Sequence, residues 1–157
     1  MPTLRRRIVV ALADLLDTAV DWDVVTRGLR EEVATTTRKA IVYYGAERKR
    51  ADTPNRVTAD LEVVIRVIVS IQAAGELETA DEVLDESLAE LERLIPVGAV
   101  GVQPAEALGV PGVQLVDVSS IRLDAPDEQA GNVSGSISVD VRYVHDLGDP
   151  DTIGGAS

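Results

Sequence analysis

Two carboxylates, Asp60 and Glu62, are the residues of this chain best placed to do chemistry. They stand two apart in a run of strand formers, and positions i and i+2 of a strand share one face. A pair held that way could bind Mg2+, as in a small metal-dependent nuclease. Such sites usually add a lysine, and none lies close in sequence. The simpler reading is a solvated strand face with Arg66 as charge partner. Asp21 and Asp23 around Trp22 look like a chelating pair, and are more simply a polar helix-to-strand turn. The single histidine, His145, ends the last strand, where a surface residue is expected rather than a general base.

Other chemistry is excluded more sharply. There is no cysteine, which removes disulfides, thiolate metal sites and thiol nucleophiles. No G-x-G occurs, so a dinucleotide fingerprint is absent. Lys39 and Lys49 each follow an arginine, so no phosphate loop ends in Gly-Lys. Gly131 to Gly135 has the wrong spacing for a nucleophile elbow. The expectation is therefore no catalytic residue, no cofactor and no metal, and a function carried by surfaces.

Charge is where those surfaces are legible. The chain has a net charge of −12, unevenly spread: residues 1–50 hold 10 basic and 7 acidic groups, residues 51–157 hold 5 and 20. So acidic a chain is not built to neutralise phosphates over a broad face. Glu78, Glu82, Glu86 and Glu90 stand four apart with no lysine or arginine between them. Like charges so spaced cost an isolated helix about 0.2–0.5 kcal/mol per pair. The row is either a solvated face, the lining of a channel, or a contact with basic residues of another subunit. Residues 45–56 are net +2, with Glu47, Arg48, Lys49, Arg50 and Arg56 as candidate interface residues. With Pro54 and Asn55 interrupting it and little to bury, this stretch reads as a mobile tip that orders against an acidic partner.

The elements that position these groups follow from periodicity. Leu4, Ile8, Leu12, Leu15 and Ala19 mark an amphipathic helix over about 3–19, and Val24 to Thr26 a short strand. Residues 38–44 and 57–71 read as two strands of a hairpin, the second alternating apolar residues at every odd position. Thr79 and Glu82 fit a capping box before a helix stripe of Ala80, Leu84, Leu88 and Leu91, which Pro96 stops. Residues 96–112, rich in glycine and proline, read as a loop. Val113 to Leu123 is a strand whose facing changes near Ser119-Ser120, as a bulge would cause. Val133 to Tyr143 alternates cleanly. The fold class is α+β: an antiparallel or mixed sheet of four to five strands with a long β-hairpin, and two main helices packed on it. Residues 1–147 form one domain and 148–157 a tail. Arg5 to Arg7 precede an apolar stretch cut by Asp14 and Asp17, unlike a secretory signal, so intracellular synthesis is expected.

This layout resembles the phage tail terminators, the family of the lambda minor tail protein U. The likeness lies in the element order and in two strand patterns, Ala40-Ile41-Val42-Tyr43-Tyr44-Gly45 and Ser138-Val139-Asp140-Val141-Arg142-Tyr143. The loop 96–112 and the tail have no counterpart in that pattern. The resemblance implies a structural virion protein: a homohexameric ring that caps the tail tube, stops its elongation and meets the head-completion proteins. It implies no catalysis and no cofactor, with DNA passing through the ring unbound. A different ring of the head–tail connector or tube is the nearest rival, and a nuclease using Asp60 and Glu62 the rival of another class.

Overall fold

The structure, a computed structural model, describes residues 3–18, 24–27, 38–95, 98–99, 108–127 and 129–146. The tail 148–157 and the Asp21–Trp22–Asp23 turn lie outside these, as does most of the loop 96–112. The elements are α1 (Leu4–Thr18), β1 (Val24–Arg27), β2 (Arg38–Thr53), β3 (Arg56–Ser70), α2 (Ile71–Ala74), α3 (Leu77–Leu94), β4 (Gly98–Ala99), β5 (Val113–Leu123) and β6 (Asn132–Asp146). The strands form one sheet in the order β1-β2-β3-β6-β5-β4. β1 runs parallel to β2 and every other pairing is antiparallel. The α+β fold with its long hairpin and two main helices is thus realised. Two-residue β4, inside the stretch read as loop, takes the sheet past the expected four to five strands.

Alternation in β3 decides where the core lies. Val57, Ala59, Leu61, Val63, Ile65, Val67 and Val69 are all buried. Their partners on β6, among them Val133, Ile137, Val139, Val141 and Tyr143, are buried on the same face. α1 lays Leu4, Ile8, Val9, Leu12, Ala13 and Leu16 on this face, and α3 lays Ala80, Leu84, Leu88 and Leu91 there, in one continuous cluster. Leu15 stands at the border of the α1 stripe and is only half-buried, while Leu16 takes the inner place. Each fully buried Val, Leu or Ile contributes roughly 1.5–3 kcal/mol, so this face supplies most of the driving force.

Three local expectations are corrected. The hairpin has no long tip: β2 and β3 stay paired as far as Thr53 and Arg56 and join through Pro54-Asn55. Proline sits in the turn, where its missing N–H breaks no ladder bond. The capping box does not form, because α3 begins at Leu77, before Thr79. Ser70 caps the preceding turn α2, Gly75 ends it with φ of 103°, and helix resumes two residues later. Thr79 then donates to Glu76 from within the first turn. His145 is buried, not exposed: β6 runs on to Asp146, and odd parity sets His145 on the helix-covered face with Tyr143. The bulge at Ser119-Ser120 is present as a register shift between Val118 and Ser120.

Candidate functional site

The even-numbered residues of β3 and β6 point away from the helices. At the ends of that face Ile68 and Ser134, and Thr58 and Val144, are buried. In the middle it opens into a polar groove of about 500 Å3. Two rows of side chains cross its floor. In one, Arg48, Asp60 and Arg142 stand side by side on β2, β3 and β6. Arg142 Nε donates to Asp60 Oδ1 at 2.7 Å, and this pair replaces the expected partnership with Arg66. In the next row Glu62 faces Asp140 across the ladder, and Asp140 faces Asp117 on β5. Cross-strand neighbours lie about 4.5–5.5 Å apart at Cβ, so three like charges in line are destabilising. Among the described residues no cation pairs with any of the three.

Glu62 is held against the backbone of β2. A Cβ on Gly45 would come within 2.6 Å of Glu62 Oε1, so glycine is what lets the carboxylate lie there. Gly45 and Ala46 are the unpaired residues of a register shift between Tyr44 and Glu47. Asp60 and Glu62 do share a face, as the strand period requires. With two guanidinium groups in the groove and one bound to Asp60, the donor set does not fit a divalent cation. Among the described residues no group of three His, Asp or Glu could hold a metal ion.

The basic hairpin residues separate by parity. Arg48 and Arg50 share the groove face, Arg50 exposed, while Glu47 and Lys49 turn to the helix-covered face. There Glu47 receives Arg5 Nη1 at 3.1 Å and the hydroxyl of Tyr143. Burial, and then the Glu47 carboxylate, push the Tyr143 phenol pKa up. Lys49 Nζ stands 3.1 Å from His145 Nε2, and His145 Nδ1 stands 2.7 Å from the Asp146 carbonyl oxygen. A carbonyl only accepts, so the ring proton sits on Nδ1 and Nε2 accepts from Lys49. Glu47 and Lys49 are therefore engaged within the chain. Arg56 is half-buried beside the turn.

On α3, Glu78, Glu82 and Glu86 are exposed, on the side of the molecule opposite the groove. Glu90 departs from the row: Arg38 Nη1 binds it at 3.0 Å while also donating to Ser87. Sequence reasoning found Asp60, Glu62 and the α3 row, and missed Asp117 and Asp140, which become neighbours of Glu62 only through register. No family model matches the chain, and no curated protein matches it.

Proposed function

We propose that this chain is a ring-forming structural protein of a phage tail, a terminator that caps the tail tube, stops its elongation and offers the surface on which the head joins. Its partners are further copies of itself, the tube protein and a head-completion protein, and its place is the virion. The observation that carries the reading is the line of like charges Glu62–Asp140–Asp117, none of them in an ion pair among the described residues, on a sheet face that no helix covers among those residues. A protein gains nothing in stability from such a row. Arg48 and Arg142 stand in the next row of the same face, and the acidic row gains where a further copy sets a cation against it, as a ring of copies would. The family likeness in element order supports the same role. The Arg142–Asp60 pair weighs against the nuclease alternative, since a metal would have to displace a charge-assisted bond. No helix among the described residues is long and apolar enough to cross a membrane.

The test is the mass of the purified protein in solution, with images of the particle. A closed ring is expected, with no DNA cleavage when Mg2+ is added. Glu82 and Glu86, the exposed members beside Arg38-bound Glu90, changed together to lysine separate the two roles open to the α3 row. Rings that form normally but pass DNA slowly give it the channel, and loss of rings gives it a neighbour. A chain that stays monomeric at every concentration, or that cuts DNA, overturns the proposal.

A further inference from the structure

We infer that copies of this chain join edge to edge, the outer edge of β2 in one copy pairing with the outer edge of β5 in the next. The inference rests on the ring reading for its partner, a second copy of the chain. β1 covers β2 only from Lys39 to Val42, and β4 covers β5 only at Leu115 and Val116. Among the described residues, Tyr43–Thr53 and Asp117–Leu123 therefore carry no strand on their outer sides. Each presents backbone donors and acceptors able to template another strand.

The exposed apolar residues fall on these two stretches. Tyr44, Ile121 and Leu123, at 48%, 43% and 63% exposure, are the large hydrophobics left open among the described residues. Tyr44 pairs with Val63, Ile121 with Ile137 and Leu123 with Gly135, so all three lie on the helix side of the sheet. Copies joined in one continuous sheet bring them together at the seam. Strand direction permits this: three successive antiparallel pairings make β5 run opposite to β2. A copy set alongside, helices on the same side, extends the antiparallel ladder.

Charge selects unlike edges over like ones. The open part of β2 bears Arg48 and Arg50 on its groove face; the open part of β5 bears Asp117, with Asp140 and Glu62 behind it. Pairing β2 with β2 sets guanidinium groups against each other, whereas pairing β2 with β5 sets them beside carboxylates. A β5–β5 pairing closes at a dimer and leaves the β2 edge open, while the head-to-tail pairing uses both and can close a ring. The two open stretches are also displaced along the strands, one toward the hairpin turn and the other toward the far end. Copies must then stagger, and stagger is what a sheet needs to curl into a closed wall.

The chain has no cysteine, so introduced ones report cleanly. Tyr44→Cys and Ala46→Cys mark the β2 edge; Ile121→Cys and Leu123→Cys mark the β5 edge. Neighbouring strands bring Cα atoms within disulfide range. On oxidation, mixtures of a β2 variant with a β5 variant should give linked dimers, and each variant alone should not. Arg48→Glu should weaken assembly by roughly tenfold or more, and adding Asp117→Arg should restore it. Self-linking of single variants overturns the head-to-tail pairing. A ring that forms without any cross-link, and ignores the charge swap, overturns the edge contact while leaving the ring reading intact. A monomer at every concentration removes both.

Discussion

Leu61 and Glu62 are adjacent in β3 and live in different proteins, so to speak: one is fully buried beneath the helices, the other stands in a row of unpaired carboxylates. Along β3 the covered face is justified by stability at every position. The groove face spends stability in its middle, where like charges oppose each other across two ladder steps. A face that the fold's own energetics does not explain is the one where function is to be sought.

The sharpest way to break this contrast is to truncate both neighbours. Leu61→Ala should destabilise by about 2–5 kcal/mol in denaturant unfolding, and Glu62→Ala should change stability by less than about 0.5 kcal/mol. Similar costs for the two would mean the groove face is structural after all. Tyr143→Phe, on the covered face at its polar end, should cost about 1–3 kcal/mol by removing the hydroxyl donor from Glu47 Oε1, Arg5 remaining on Oε2. It should also change the response to alkali. Unfolded, the phenol ionises near its ordinary value of about 10; folded, it keeps its proton to higher pH. Above about pH 10 the unfolded state therefore binds fewer protons and stability falls as pH rises, a slope that Tyr143→Phe should reduce. Gly135→Ala should cost about 1–3 kcal/mol, because its Cβ would meet the Arg122 carbonyl oxygen at 2.9 Å and Leu88 at 3.2 Å. The smallest effect has the opposite sign. Asp140→Asn should stabilise by about 0.2–1 kcal/mol, more at low salt than at high salt. A loss of stability there would show that the acidic row is compensated.

What sequence revealed and what it hid follow the same division. The covered face is written within single strands, so Leu61, Val63, Ile65 and Val67 could be placed from alternation alone. The bulge at Ser119-Ser120 was equally local, since it shifts which residues are apolar. The groove face is written across strands: nothing in the run around Asp140 says that Glu62 and Asp117 flank it until the register is fixed. The hairpin misled because Glu47 to Arg50 are a charged run with little strand propensity, and pairing with β3 overrides that preference. Carrying the parity of Val139, Val141 and Tyr143 two residues further would have placed His145 inside. Its type argued for solvent and its position did not.

The sheet order has a consequence for synthesis. β6 lies between β3 and β5 yet is the last of these strands to leave the ribosome. Until it arrives, β5 has no neighbour but two-residue β4, and the inner face of β3 has α3 but not its flanking strand. The β2–β3 hairpin is local and can form early, while the β3–β6 ladder must close a long stretch of chain before it returns any bond. Nascent chains therefore pass through a stage in which Ile121, Leu123 and the whole of β5 are open to the wrong partner. A late central strand delays the completed sheet until Asp146 has been made, and with it any edge fit for assembly.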